Sequence, residues 1–336
     1  MRNLAGLFAI IILLFSCEKK ETFVPRNFTS VEIETIFYDS ILNIRAIDIL
    51  NDGSLAFAAN EGIFGLYNSN KDMWQTSVQT FDSLNLEFRA VAHTATDFFM
   101  LSYDNPALLY KTGNQGKMEL AYEEHTLGVS YNAMLFWNDE EGIAVGNNMN
   151  GCLSIIITRN GGETWEKLPC SNLLKAEKGE SVFPASNTIK IVENTIWIGT
   201  TNGNIYSSED KGLTWKAIKT PVQAIYALDF YDELNGFAVG GADQVTHNLR
   251  TTDGGKTWHM VGESSSSKLG SSIQFIPNTM GKELVAIGFK GIDFSNDSGE
   301  SWKQLSNESF NTIRFLNDSV AYAAGSNRIS KVTFRR

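Results

Sequence analysis

Histidine and cysteine are scarce in this chain, and basic residues are outnumbered. Four histidines occur among 336 residues (His93, His125, His247 and His259), and no two stand at a metal-binding spacing. Cys-x-x-Cys, His-Glu-x-x-His, Gly-x-Ser-x-Gly and a phosphate-binding glycine loop are all missing. Those absences remove the usual motifs for zinc, thiol redox chemistry, acyl transfer and nucleotide binding. No metal and no cofactor is expected, and nothing supports a nicotinamide or flavin fold. Lys and Arg total 28 against 38 Asp and Glu, a formal net charge of -10. That balance argues against nucleic acid as a partner, because phosphates need a basic surface. Hydrophobic content of 43% leaves ample material for a large core.

The N-terminus, "MRNLAGLFAIIILLFSCEKK", joins Arg2 to an apolar run of 12 residues, Leu4 to Phe15, followed by Ser16 and Cys17. A permanent transmembrane helix needs roughly 20 apolar residues, so the run reads as a secretory signal core. A small residue before a cysteine resembles the bacterial lipobox, with Phe15 a bulky occupant of it. By that resemblance Cys17 is the lipidated first residue of the mature protein; the alternative is an ordinary signal peptide whose cysteine is incidental. The expected organisation is a signal peptide over 1–16, a lipidated cysteine and polar tether over 17–29, and one folded domain over 30–336. That places the protein in the bacterial cell envelope, periplasmic or surface-exposed, held to a membrane by lipid alone and otherwise expected to be a monomer.

The other two cysteines, Cys152 and Cys170, flank "GCLSIIITRNGGETWEKLPC" symmetrically about Gly161. If that segment is a hairpin turning at 160–162, they face each other on adjacent strands. Opposed Cα atoms roughly 4.5–5.5 Å apart suit a disulfide, and an oxidising compartment permits it. Two buried free thiols are the alternative.

A string of the form Ser/Thr-x-Asp/Asn-x-Gly-x-x-Trp recurs as "TRNGGETW" (158), "SSEDKGLTW" (207), "TTDGGKTW" (251) and "SNDSGESW" (295). Its tryptophans, Trp165, Trp215, Trp258 and Trp302, are spaced by 50, 43 and 44 residues. "YNSNKDMW", ending at Trp74, and "YKTGNQGKMEL" near 110–120 are eroded copies on the same beat. Each copy follows a strand, turn, strand, loop and strand. In one unit these fall at 224–231, 236–241 and 246–252, with alternating apolar positions and β-branched or aromatic enrichment. Four strands per unit of about 45 residues is the pattern of a propeller blade.

Seven inner strands align on a small residue followed by an apolar one. They are "RAIDI" (45), "RAVAH" (89), "NAMLF" (132), "NTIKI" (187), "YALDF" (226), "SSIQF" (271) and "NTIRF" (311). The expected fold is therefore an all-β, seven-bladed propeller with four-stranded antiparallel blades. The last unit has three strands of its own, and "SVEIETIF" (30–37) supplies the fourth and closes the ring without an exposed edge.

Within the repeated string, Asn160, Asp210, Asp253 and Asp297 can accept backbone N–H groups of the turn and the neighbouring hydroxyl. The glycine takes a positive φ, and the tryptophan covers the hairpin. A residue set needed once for chemistry has no reason to recur in most blades, so the string is structural and names no catalytic residue.

The strand alignment exposes a second set. Immediately before each small residue stand Arg45, Arg89, Asn132, Asn187, Tyr226, Ser271 and Asn311. All seven are polar, and equivalent positions on inner strands form a ring at one mouth of the central channel, the expected binding site. The alternative is that these ends simply meet water. The small residues behind them are explained by crowding near the axis. Glu180, on an insertion between the third and fourth units, could reach over the mouth but reads as a solvated loop carboxylate.

The repeats resemble the BNR/Asp-box propellers and, within them, the photosystem II stability/assembly factor-like family. "AVAHT…YKTGNQG", "AMLFWNDEEGIAVG…TRNGGETW", "KGESVFPASNT…IWIGT", "LDFYDELNGFAVGG…RTTDGGKTW" and "LVAIGFKGIDFSNDSGESW" carry the likeness over roughly residues 43 to 330. The resemblance implies a protein that holds a client during assembly. This chain departs from the photosynthetic members in its acidity and its lipid anchor, which argue against a basic client-binding face and a thylakoid task. The expected function is a non-catalytic, membrane-anchored scaffold for a protein or glycan partner.

The alternative is a sialidase-like glycoside hydrolase, with Arg45 and Arg89 holding an acidic sugar. Sialidases of this repeat class need three converging arginines, a tyrosine–glutamate pair, an acid/base aspartate and an Arg-Ile-Pro segment. No Arg-Ile-Pro occurs here, and Arg314, the third arginine, sits three positions beyond the ring and should point to another face. The sequence nominates no carboxylate pair at the separation a retaining glycosidase uses.

Overall fold

The computed structural model describes residues 23–113, 116–184, 187–242, 245–262 and 270–336. The expected signal segment, Cys17 and residues 18–22 lie outside the described residues. Seven four-stranded antiparallel sheets are arranged as the blades of a propeller. Blade 1 is Ala46–Ile49, Leu55–Ala58, Ile63–Asn68 and Met73–Val78. Blade 5 is Ala224–Phe230, Gly236–Ala242, Val245–Thr251 and His259–Met260, within a residue of the expected bounds.

Blade 7 closes the ring. Thr312–Phe315, Val320–Ala324 and Ser326–Arg335 are completed on the outside by Ser30–Asn43, the strand from the far end of the chain. That strand runs antiparallel to the last one, with Ser30 opposite Arg335 and Ile33 opposite Val332. The folded body also takes in residues assigned to the tether. Arg26 Nη2 meets the buried Glu283 carboxylate at 2.6 Å, and Phe28, 2% exposed, stands edge-on to Phe294.

The core is a set of apolar layers between blades rather than one central mass. Seven buried clusters occur among the described residues, one at each seam. At the seam of blades 2 and 3, for example, Phe99 and Leu101 meet Tyr131, Met134 and Trp165. Sheets must bury one face against a neighbour, and in a ring each blade does so on both sides.

The repeated string is a hydrogen-bonded turn at the outer edge of each blade that carries it. In blade 5, Thr251 Oγ1 donates to Asp253 Oδ1 at 2.8 Å and accepts Gly255 N–H at 2.9 Å. Thr257 N–H then returns to Asp253 Oδ1 at 3.0 Å. Asn160 accepts Thr164 N–H in blade 3, and Asp210 and Asp297 make the same bond to Thr214 and Ser301. Trp165 and Trp258 are buried, whereas Trp215 and Trp302 are half-buried against the blade face. Hydrogen bonds of this kind contribute about 0.5–1.5 kcal/mol each, and truncating a buried tryptophan costs about 3–5 kcal/mol.

Cys152, the first residue of Cys152–Thr158, is disulfide-bonded to Cys170, with Cα atoms 5.6 Å apart. The hairpin between them pairs Ile156 with Lys167 and Ile157 with Glu166, and Cys170 lies just past its paired end.

Candidate binding site at the channel mouth

The inner strands are Ala46–Ile49, Phe88–His93, Tyr131–Phe136, Ile189–Val192, Ala224–Phe230, Gly270–Phe275 and Thr312–Phe315. The seven polar positions share one backbone setting at the start of these strands. Arg89, Asn132, Tyr226 and Ser271 are each skipped by the pairing register, the mark of a β-bulge. Arg45 and Asn311 immediately precede their strands, and Asn187 lies two residues before its own. A bulge leaves one residue unpaired and re-aims its side chain, which is why such residues recur beside binding sites. The Ser271 side chain lies outside the described residues.

The ring is not evenly open. The insertion between blades 3 and 4 folds across one side of it. Asn132 Nδ2 donates to Val182 O at 3.1 Å, and Phe183 stands edge-on to the Tyr226 ring at 5.4 Å. Asn187 Nδ2 reaches Asn311 O at 3.3 Å, from blade 4 to blade 7. Asn132 and Asn187 are only 4% and 5% exposed, so for these two the open-water alternative fails.

Glu180 fastens this insertion, and the expectation of a solvated carboxylate is corrected. It is fully buried and accepts Thr200 Oγ1 at 2.6 Å, Asn204 Nδ2 at 2.8 Å, Tyr206 OH at 3.0 Å and Glu177 N–H at 2.8 Å. Four donors meet the demand of a charge taken out of water. Arg314 faces the other end of the channel, as its position predicts, lining a hollow with Asp48 and Asp229, and its Nη1 also reaches back to donate to Asn187 Oδ1 at 3.1 Å. Three positions along a short inner strand are bridged by the length of an arginine side chain.

The open arc holds Arg45, Arg89 and Asn311. Asn311 Nδ2 is committed to Asn43 Oδ1 and Ile44 O. Arg89 lies 3.4 Å over the Tyr103 ring and its Nε meets Glu87 Oε1 at 2.7 Å. Arg45 is half-buried, its Nε is buried with no hydrogen-bond partner, and it forms no ion pair among the described residues. Burial first, and the neighbouring positive charge of Arg89 second, hold its guanidinium below the usual arginine range. Two guanidinium groups share one carboxylate here. Such a place is suited to an incoming carboxylate, which Arg can grip with paired hydrogen bonds. Glu87 and Tyr103 carry no repeat signal and are not legible as site residues from the sequence.

The opposite mouth is electrically balanced. A hollow of about 250 Å³ is lined by Asp48, Lys190, Asp229, Gln274 and Arg314. Asp48 Oδ2 pairs with His93 Nδ1 at 2.7 Å, and Lys190 with Asp229 at 2.6 Å. Asp229 also accepts Phe275 N–H at 2.7 Å, which ties blade 5 to blade 6. Among the described residues three tyrosines donate to glutamates, Tyr122 and Tyr131 to Glu124 at 2.9 Å and Tyr206 to Glu180 at 3.0 Å. Burial pushes all three phenols up, the reverse of what activates a nucleophile. Among the described residues, no three His, Cys, Asp or Glu side chains are grouped to hold a metal ion.

This architecture defines a β-propeller built of seven repeated blades. Residues 134–275 match the DUF6242 beta propeller domain. Among solved structures, YCF48 bound to D1 peptide superposes with a TM-score of 0.64 at 12% identity, covering 94% of this chain and 100% of that one. YCF48 from Cyanidioschyzon merolae gives a TM-score of 0.68 at 14% identity, with coverage of 90% and 98%. The GH74 xyloglucanase from Xanthomonas campestris gives 0.67 at 12% identity over 90% of this chain but 53% of the enzyme, so this chain spans about half its length. At these identities the likeness shows the fold. No curated protein matches the chain.

Proposed function

We propose that the protein is a lipid-anchored, non-catalytic scaffold of the BNR/Asp-box kind. It binds a protein or glycan partner by a carboxylate at the Arg45–Arg89 mouth. The observation that carries this reading is the half-buried Arg45, whose Nε has no hydrogen-bond partner and which has a second arginine beside it and only the Glu87 carboxylate nearby to offset both. Positive charge partly withdrawn from water and incompletely offset is costly, and a ligand carboxylate reduces that cost. The likeness to YCF48 bound to D1 peptide supports a protein partner. Cys17 is the proposed anchor, which puts the body at a membrane surface in the cell envelope.

Crosslinking and pull-down of the native protein test the site. Arg45→Ala together with Arg89→Ala should lose the partner captured by the parent, and capture of the same partner by both proteins would sink the assignment. Cys17→Ser should move the protein out of the membrane fraction, and unchanged fractionation overturns the anchor.

A further inference from the structure

Aromatic rings meet at an equivalent place across two of the seams between blades. Trp165 of blade 3 stands edge-on to Phe99 of blade 2 at 6.4 Å, and Trp302 of blade 6 to Phe237 of blade 5 at 5.8 Å. Phe99 and Phe237 hold the same register. They pair with Ala92 and Asp229, each two residues beyond the small residue of its inner strand. In blade 1 that register falls to Ala56, paired with Asp48, two beyond Ala46. The next blade is the one whose string, "YKTGNQGKMEL", carries no tryptophan; its turn is one residue shorter, so Met118, paired with Thr112, takes the place that Trp258 takes just before the Arg250–His259 pair. Both halves of the lock are therefore missing at the same seam.

A cleft of about 550 Å³ opens there, walled by Ala56, Phe64, Leu66, Phe98 and Met118. We propose that this cleft receives an aromatic side chain, tryptophan foremost, from a protein partner. The repeat supports this, since the homologous place at the seams of blades 2 and 3 and of blades 5 and 6 is filled by an indole of this chain. Buried aromatic side chains commonly dominate interface energy. Charge fixes the flanking residues. Asp52 and Asp97 line the cleft and no Lys or Arg does, so the aromatic residue is flanked by basic ones. The turns at Leu50–Asp52 and Thr94–Asp97 lie at the far ends of the inner strands from Arg45 and Arg89, which makes this site independent of the channel mouth.

The test is a titration of acetyl-Lys-Trp-Lys-amide into the intact protein, followed by ligand-observed NMR. Saturable millimolar binding is expected, with the Lys-Ala-Lys and Glu-Trp-Glu counterparts each weaker by about tenfold or more. Met118→Trp and Ala56→Phe restore the two missing rings and should each abolish binding while raising the thermal midpoint. Arg45→Ala should leave it unchanged. Should Met118→Trp fail to fold, Ala56→Phe carries the same test. Absence of saturable binding, or equal binding by the filled variants, overturns the site. Equal binding of Glu-Trp-Glu overturns the basic flank, and binding of free indole without the tripeptide overturns the protein partner.

Discussion

Phe99 of blade 2 lies so close to Gly162 of blade 3 that a Cβ added to the glycine would come within 2.3 Å of the ring. The turn is thus a joint between blades as well as a hairpin end. Gly162 has φ near +79°, and Gly128 has φ near +84° with nothing within 4 Å of the same construction. Gly128→Ala should cost about 1–2 kcal/mol from backbone strain alone. Gly162→Ala should cost about 2–5 kcal/mol, because overpacking is added. Urea midpoints measure the difference, and equal losses would show that the ring contact does not matter.

The acid limb of stability should depend on the turn aspartates. The Thr257 hydroxyl and backbone N–H hold the Asp253 carboxyl at about 2, down from 3.8. A depressed carboxylate stabilises above its unfolded value, and that contribution disappears as pH falls from about 4 towards 2. Asp253→Asn should be less stable than the parent at pH 6, with the gap closing across that window. Asn160 makes the equivalent bond without charge, so the variant should fold. A gap constant with pH in urea denaturation contradicts the linkage.

Glu180→Gln places an amide donor among Thr200, Asn204 and Tyr206, which all donate to the carboxylate. Each mismatched buried donor costs about 1–3 kcal/mol, so the insertion should open before the blades do. Lys175 and Lys178 lie in it, and limited trypsin digestion should cut there about tenfold faster or more. Unchanged cleavage would mean the carboxylate does not hold the segment down.

The disulfide closes the other end of that insertion. Cys152 and Cys170 are 18 residues apart, and a loop near that length is stabilised by about 3 kcal/mol. Replacing both with alanine should lower the denaturation midpoint accordingly, and reduction of the parent should reproduce the loss. A variant as stable as the oxidised parent counts against the bond.

His93 titrates above the usual histidine range because Asp48 bonds to its imidazole, against the opposing effect of burial. A raised value stabilises fully below the unfolded value of about 6.5 and is lost as pH rises through the folded one. Asp48→Asn should bring the His93 titration down in NMR. A titration curve that does not move shows the pair to be incidental.

The blades were legible because their cause is local and repeated. "RAIDI" and "YALDF" carry the same small–apolar pattern, and the Trp string recurs at matching places. The ring position was legible for the same reason, although the bulges at Arg89, Asn132 and Tyr226 were not. What covers half of the mouth was hidden. Glu180 meets Thr200, Asn204 and Tyr206, which are 20 to 26 residues further on, and no period links an insertion to the strands that receive it. The face Arg314 takes was legible from its register, but its bond back to Asn187 was not, because register says where a side chain starts and not how far it reaches.

The pairing of Ser30 with Arg335 also sets an order of events. Among the described strands, the one synthesised first finds its partner only when the chain is almost complete. Until then Ile33 and the rest of its apolar row have no sheet to join, while blades 1 to 6 can form from neighbouring sequence alone. Closing a span of that length is slow even though its entropic cost grows only logarithmically. A ribosome that stalls before the final strand therefore releases an open horseshoe with a loose end, a different object for quality control than a ring missing one loop.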